Sequence, residues 1–241
     1  MLTNGSLNEV TQQTMKHVVF VGPQGAGKGT QAARVADRLG LIHLATGDLF
    51  RELMASDSPL AAEVRSYYDA GNLVPDELTA RVLFDALDKH AETGSVSGAL
   101  IDGFPRNEAQ ADVLDQQIAE RGETLEAIVH IAVPREVLME RLTGRLTCRD
   151  CGRTYHIRFN PPQQDGVCDV CGGELYVRSD DTEAAVERRL TIYFEQTEPL
   201  LARWRDRGIV RDVDGNQQID EVTAEIIAAL TSDGTFTEKQ G

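Results

Sequence analysis

The sequence predicts a three-layer α/β fold, in which helices cover both faces of a parallel sheet of about five strands. Short apolar runs alternate with helical stretches along most of the chain, as in sheets built with crossover helices. A Gly-rich loop containing Lys28 follows the first run and precedes a helical stretch. The run at residues 127–133 is almost continuously apolar, as expected of a strand buried on both faces.

The expected elements follow one another in a regular order. Strands are predicted at residues 17–21, 41–45, 99–102, 127–133 and 209–213. Helices are predicted at residues 30–39, 48–55, 60–70, 76–92, 106–121, 135–142, 182–207 and 221–231. Because at least one helix separates each strand from the next, the connections favour parallel pairing.

The composition restricts the classes of partner. The 241 residues include 24 Lys and Arg against 39 Asp and Glu, a net charge of −15. Such a charge repels nucleic acid backbones and anionic membranes, so neither is an expected partner. It suits a cytoplasm of high salt, where ions screen self-repulsion, although an acidic protein from an ordinary cytoplasm remains an alternative.

The two ends of the chain are expected to lie outside the domain. Residues 1–16 are polar, lack the apolar region of a signal peptide, and are predicted to form a flexible extension. Residues 231–241 are predicted to form a mobile tail. We therefore expect a cytoplasmic location.

The loop after the first strand has the composition of a phosphate-binding loop. Its sequence is Gly22-Pro23-Gln24-Gly25-Ala26-Gly27-Lys28-Gly29-Thr30. Its glycines let the backbone curl so that N–H groups point at phosphate oxygens, and the start of the next helix adds positive potential. Lys28 can reach the outer phosphates. The alternative, a glycine-rich turn without function, does not explain the lysine between strand and helix, so a P-loop NTPase-type fold is predicted.

The region at about residues 145–178 breaks the alternation and reads as a small insertion with short hairpins. It holds all four cysteines of the chain as two Cys-x-x-Cys pairs: Cys148, Cys151, Cys168 and Cys171. Four thiolates suit structural Zn²⁺, and four protein ligands leave no position open for substrate. Two disulfides and an iron site are the alternatives; disulfides require an oxidising compartment, which nothing in the sequence implies.

Five segments in order resemble the adenylate kinase family in its long-lid form with a four-cysteine zinc lid. They are residues 22–30, 46–51, 102–106, 144–145 with the insertion, and 178–189. The resemblance implies one domain at residues 17–230, with an arm for the nucleoside monophosphate at about 46–75 and a lid at about 144–181. It also implies Mg²⁺-dependent, reversible transfer of the terminal phosphoryl group from ATP to AMP, giving two ADP, in adenine nucleotide homeostasis.

The resemblance also implies roles for individual residues. Transfer between polyphosphates needs positive groups that hold and neutralise the phosphates rather than a protein nucleophile. The catalytic set is Lys28, Arg106, Arg145, Arg178 and Arg189. The ATP set is Gly25, Ala26, Gly27, Lys28, Gly29, Thr30, Arg145, Thr154, Tyr155 and Gln217. The AMP set is Thr46, Arg51, Asn72, Leu73, Val74, Gly103, Arg106, Gln110, Arg178 and Arg189.

Further expectations concern single residues, some of them outside these sets. Tyr155 is expected to stack near the ATP adenine and Gln110 to read the AMP adenine. Thr46 favours AMP, and it can also be the N-cap of the following helix. Asp102 is expected to orient Mg²⁺ through water. Arg141 is expected near the nucleotide, whereas Arg188 is expected to point away.

Other functions stay open at this point. The first is a kinase for UMP, CMP or GMP, which a panel of acceptors distinguishes. A P-loop GTPase is disfavoured because no Asn-Lys-x-Asp segment is present. A zinc ribbon that binds nucleic acid is disfavoured by the acidic chain. A monomer is expected, since the arm and the lid must both move.

Overall fold

The structure is a computed structural model that describes residues 14–69, 74–91, 97–177 and 182–239. Its larger sheet is fully parallel, with strand order β2-β3-β1-β4-β8. These strands are β1 (Lys16–Val21), β2 (Ile42–Ala45), β3 (Ala99–Asp102), β4 (Thr124–Ala132) and β8 (Val210–Asp214). The predicted α/β class and five-stranded parallel sheet are confirmed.

Helices connect these strands and cover both faces of the sheet. They are α1 (Lys28–Leu39), α2 (Thr46–Met54), α3 (Pro59–Asp69), α4 (Asp76–Ala91), α5 (Glu108–Glu120), α6 (Arg135–Thr143), α7 (Glu183–Ile192), α8 (Leu200–Arg205) and α9 (Ile219–Thr231). Alternate residues of β1 pack into different cores: Phe20 packs with α1 and α9, whereas Val19 and Val21 pack with α4 and α5. This alternation is what a strand buried on both faces requires.

Two smaller apolar clusters lie outside the sheet core. In the first, Val64 of α3 and Leu78 and Val82 of α4 pack with side chains of α2 and α3. In the insertion, β5 (Arg145–Cys148), β6 (Thr154–His156) and β7 (Leu175–Tyr176) form an antiparallel sheet in the order β6-β5-β7. The insertion therefore has a small core of its own, whereas the other cluster joins α2 and α3 to α4.

The single helix predicted at residues 182–207 is wrong, because the structure divides it. Helix α7 passes into a π-helical turn, Tyr193–Thr197, and α8 begins only at Leu200. Pro199 has no N–H to donate and its ring disfavours the α-helical ladder. The Glu198 N–H instead bonds the Tyr193 carbonyl at 2.9 Å, five residues back.

The chain ends differ from the sequence expectation where they are described. Strand β1 begins at Lys16, and Met15 packs against the core. In the tail, Phe236 is only 6% exposed in the core cluster, and the Lys239 N–H bonds the Arg38 carbonyl at 2.8 Å. The tail packs because the Phe236 ring joins the apolar cluster that includes Ile227 and Leu230 of α9. Residues 1–13 and 240–241 lie outside the described part of the chain.

No helix in the described ranges combines the length and the apolar composition that a bilayer crossing requires.

Candidate active site

The loop between β1 and α1 folds as a cradle at the carboxyl edge of the sheet. Gly25 and Gly27 have φ values of +84° and +91°, a left-handed conformation that side chains disfavour. Gly22 is required for another reason, since a Cβ there would lie 2.7 Å from the Ile131 carbonyl oxygen. The Gln31 N–H bonds the Gly27 carbonyl at 3.0 Å, so earlier N–H groups precede the helical ladder and can face an anion.

Lys28 closes this cradle. Its Nζ donates to the carbonyl oxygens of Gly22 at 2.6 Å and Pro23 at 2.9 Å. The pKa of Lys28 is lowered to about 8, mainly because the ammonium group is buried; the charge of Asp102 opposes this shift, and the positive charges of Arg106, Arg145 and Arg189 add to it. The cradle is therefore strongly electropositive, and a bound anion would relieve that repulsion.

The positive charges of three arginines from separate elements lower the pKa of Lys28. Arg106 follows β3, Arg145 begins β5 in the insertion, and Arg189 lies on α7. Their charges all act on the pKa of Lys28, so the fold brings them near one centre. Arg188, the neighbour of Arg189, is exposed. This convergence supplies the cationic environment that phosphate groups need.

Arg51 and the remaining predicted residues of the AMP set have different surroundings. Arg51 is exposed on α2 and its guanidinium pairs with Asp48. Val74 packs against the arm cluster. Asn72, Leu73 and Arg178 lie outside the described residues.

Thr46 lies against the end of β3. Its side chain is buried, and its hydroxyl donates to the Asp102 carbonyl at 3.3 Å. The N-cap interpretation of Thr46 is wrong, because α2 starts at Thr46 itself and Ala45 is the cap. Gly103 must be glycine here: its φ is +87°, and a Cβ would lie 2.6 Å from the Thr46 hydroxyl oxygen. Thr46 and Gly103 are thus tightly packed against each other at the end of β3.

Gln110 lies next to Arg106 and is bonded at both ends of its amide. Its Oε1 accepts the Arg106 backbone N–H at 2.8 Å, and its Nε2 donates to Asp76 Oδ1 at 2.7 Å. The sequence reasoning missed Asp76, because an acidic residue at the start of a helix is already explained by the helix dipole. The only signal was the proximity of its helix to the predicted AMP arm.

Asp102 ends β3 directly beside the loop. Its Oδ2 lies 3.5 Å from the position of a Cβ on Gly29, and 3.9 Å from His43 Nε2. A largely buried carboxylate at the start of α1 is a suitable oxygen ligand, direct or through water, for a Mg²⁺ ion that accompanies phosphates. The residues present therefore fit that ion.

Two residues predicted near ATP, Arg141 and Gln217, lie on the other side of the phosphate loop, around the turn after β8. Arg141 Nη1 donates to the Gly215 carbonyl at 3.0 Å and lies 3.5 Å from the Gly25 carbonyl. Gln217 Nε2 donates to the Asp214 carbonyl and to Glu225. Arg141 thus joins the phosphate loop to the turn that bears Gln217.

The structure corrects the expectation for Tyr155. Thr154 is exposed, but the Tyr155 side chain is only 5% exposed and packs with the cysteines. The Tyr155 hydroxyl lies 3.4 Å from Cys168 Sγ and accepts the Asp169 N–H at 2.8 Å. Because the ring fills the small core of the insertion, it is not presented for stacking on a base.

The four cysteines meet at one end of the insertion. All four Sγ atoms lie within 4.8 Å of one another, with 3.4 Å between Cys148 and Cys171 and 3.6 Å between Cys151 and Cys168. Sulfurs around tetrahedral Zn²⁺ at about 2.3 Å would be separated by about 3.8 Å. All four cysteines are free in the structure. The Tyr155 hydroxyl and the backbone N–H groups of Cys171 and Val170 lower the pKa of Cys168 to about 6, whereas, against the Gly173 N–H, the neighbouring thiols raise the pKa of Cys171 to about 12. Within this cluster, one thiol therefore ionises well before another.

Comparison with known proteins agrees with this geometry. The sequence model of the family described as adenylate kinase matches residues 20–209, which include the phosphate loop and the cysteine-bearing insertion. An adenylate kinase of Symbiobacterium thermophilum is 49% identical over 214 residues, 89% of this chain and 98% of the relative. One of Moorella thermoacetica is 48% identical over 216 residues, 90% and 98% of the two chains. One of Bacillus licheniformis is 46% identical over 210 residues, 87% and 95% of the two chains. The chain therefore belongs to the adenylate kinase family.

Proposed function

We propose that the protein transfers the terminal phosphoryl group of ATP reversibly to AMP, giving two ADP. The observation that carries this function is the convergence of Arg106, Arg145 and Arg189 on Lys28 above a glycine-lined cradle. Two nucleotides that meet end to end bring several negative charges into one small volume. Guanidinium and ammonium groups from several elements neutralise that charge and hold the phosphates in line.

The proposed roles follow from position. The loop residues Gly25, Ala26, Gly27, Gly29 and Thr30 bind the ATP phosphates through backbone N–H groups. Lys28 and Arg145, with Arg189, stabilise the charge that spreads over the transferred group. Arg106 and Arg51 bind the AMP phosphate, and Thr46, Gly103 and Gln110 line the AMP site. Thr154 and Gln217 remain candidates for the ATP side, and Arg178, Asn72 and Leu73 keep the roles implied by the family.

Asp102 would hold Mg²⁺, which supplies charge neutralisation to the phosphates when bound. Zn²⁺ is the proposed metal of the four cysteines, because structural zinc sites prefer four thiolates and the proposed reaction needs no redox centre. With four thiolates there is no position for substrate, so the metal stabilises the lid. Elemental analysis of protein purified without added metal tests zinc against iron.

We also propose that the arm, at about residues 46–75, and the lid, at about residues 144–181, close over their nucleotides. Closure excludes water, which would otherwise accept the phosphoryl group. The small apolar cluster of the insertion, formed by its own residues, supports this division for the lid. A monomer meets this requirement, and light scattering in solution tests it. The negative charge of the chain argues against nucleic acid and anionic membranes as partners.

The first test is direct turnover. With ATP, AMP and Mg²⁺ the protein should form ADP, and a chelator that removes Mg²⁺ should stop the reaction. Substitution of UMP, CMP or GMP for AMP should give much slower turnover. A protein that turns over one of these acceptors faster than AMP would replace the proposed acceptor, and a protein that forms no ADP from any of them would refute the phosphotransferase function.

ATP binding should take up a proton near pH 8. The pKa of Lys28 is lowered to about 8 in the free protein, and bound phosphates must raise it because their charge favours the ammonium form. The affinity for ATP should therefore fall as the pH rises above about 8 and be insensitive to this group below pH 7. Calorimetry at pH 8 in buffers of different ionisation enthalpy measures the uptake.

The matched control for that experiment is a Lys28→Met variant, which should show no uptake from this site. The same titration at pH 6.5 should show none from Lys28 in the unsubstituted protein. Binding heats at pH 8 that are equal in all buffers would contradict the assignment of Lys28 to the phosphates.

A further inference from the structure

Asp76 occupies a position that constrains the Gln110 amide from one side. The Asp76 carboxylate, at the first residue of α4, accepts Gln110 Nε2 at 2.7 Å. The opposite end of the same amide, Oε1, accepts the Arg106 backbone N–H at 2.8 Å. A carboxylate can only accept and a backbone N–H can only donate. Only one of the two orientations of the Gln110 amide satisfies both neighbours.

Asn107 makes this arrangement more rigid. Its Oδ1 accepts the Gln110 backbone N–H at 2.8 Å, which fixes its own amide with Nδ2 outward. That Nδ2 lies 3.3 Å from both carboxylate oxygens of Asp76. The Asp76 carboxylate therefore accepts from two side-chain amides, each of which also has its oxygen bonded by a backbone N–H.

Among the described residues, no other group bonds this amide, which leaves one N–H and one lone pair of Gln110 for a ligand. Adenine presents a donor, its N6 amino group, beside an acceptor ring nitrogen, and this pattern pairs with a carboxamide in a defined direction. The six-position of hypoxanthine carries an acceptor oxygen, and N1 carries a hydrogen. A bidentate contact to that base requires the amide to rotate by a half turn.

We infer that Asp76 is a positioning residue for base selection: it locks the Gln110 amide in the orientation that accepts adenine and rejects 6-oxopurines. The inference rests on the proposed function, in which Gln110 faces the AMP base. In the rotated amide, Gln110 Nε2 would face the Arg106 backbone N–H, two donors, and Oε1 would face the Asp76 carboxylate, two acceptors without a hydrogen between them. Asp76 imposes the second of these costs. The cost of that unsatisfied contact falls only on the wrong base.

The test is the Asp76→Asn variant, which preserves the shape of the side chain but can donate as well as accept. AMP and IMP are the probes, since they share ribose and phosphate and differ at the six-position. The ratio of their dissociation constants, Kd for IMP over Kd for AMP, is measured by calorimetry without ATP. We expect this ratio to fall about tenfold in the variant, the size of one unsatisfied buried hydrogen bond.

The matched control is Asp85→Asn, which removes the same charge from an exposed position on the same helix. It should leave the ratio unchanged. A purely structural role for Asp76 would weaken AMP and IMP binding equally, so an unchanged ratio in Asp76→Asn overturns the inference. So does an unsubstituted protein that binds IMP as tightly as AMP. Because the ratio comes from binding alone, it separates this inference from the proposed function, which fails when no ADP forms.

Discussion

Replacing Lys28 with methionine should lower the rate of phosphoryl transfer by about a hundredfold to a thousandfold, the usual cost of removing one group that stabilises a transition state. Methionine has a similar length and flexibility but no charge and no donor. The contacts of Lys28 Nζ with Gly22 and Pro23 show that the side chain bends back along the loop, where the phosphates would lie. Steady-state ADP formation from ATP and AMP measures the loss.

The fold should tolerate this change well. Burial and neighbouring arginines lower the pKa of Lys28, so at neutral pH the folded protein holds a charge that its surroundings disfavour. Methionine removes that penalty, and the melting temperature should not fall appreciably. Lys89→Met, the same exchange at an exposed position on α4, is the matched control and should retain full activity. Near-normal transfer by Lys28→Met would show that the cradle has another purpose.

Replacing Cys148 with serine should abolish metal binding and unfold the lid while the sheet core stays folded. The apolar cluster of the insertion consists of Cys148, Tyr155, Cys168 and Leu175, with Leu146 packed against it. Two of its four buried members are thiols, so little apolar core remains without a metal. A structural zinc site in a small domain contributes on the order of 10 kcal/mol. Metal content and hydrogen exchange over residues 145–177 measure the effect.

Val170→Ser is the matched control for the lid. Val170 lies between Cys168 and Cys171 and is 62% exposed, so serine there changes the same loop without removing a ligand. That variant should keep its metal and slow exchange. A Cys148→Ser protein with a full equivalent of metal and unchanged exchange would disprove the four-thiolate site. ADP formation should fall in Cys148→Ser, because Arg145 begins the first lid strand.

The order of secondary structure could be predicted from local pattern. Apolar runs such as residues 127–133 mark buried strands, and the glycines around Lys28 mark a phosphate loop, because backbone conformation and burial limit which residue types fit. The insertion was recognisable from the spacing of Cys148, Cys151, Cys168 and Cys171. The break at the π-helical turn was not predicted, since a proline inside a helical pattern specifies a disruption but not its geometry.

The contacts of individual side chains could not be predicted from local pattern in the same way. Tyr155 has a family position that suggests base contact, yet its ring fills the lid core beside Cys168. Thr46 has the chemistry of an N-cap, yet its hydroxyl bonds the Asp102 carbonyl on a neighbouring strand. Both outcomes depend on residues distant in sequence, and a local pattern contains no information about them.

Local patterns along the chain are enough to predict the fold class, the phosphate loop and the four-cysteine insertion, because each depends on residue types at short, fixed spacings, and several such segments in order indicate the family. Which charges lie close together depends instead on how distant segments fold against one another. Lys28, Arg106, Arg145 and Arg189 come from four segments that the parallel sheet and its insertion bring together, and their mutual effect appears in the lowered pKa of Lys28. The contact between Asp76 and Gln110 has the same origin, since α4 and α5 pack only once β3 is inserted between β2 and β1.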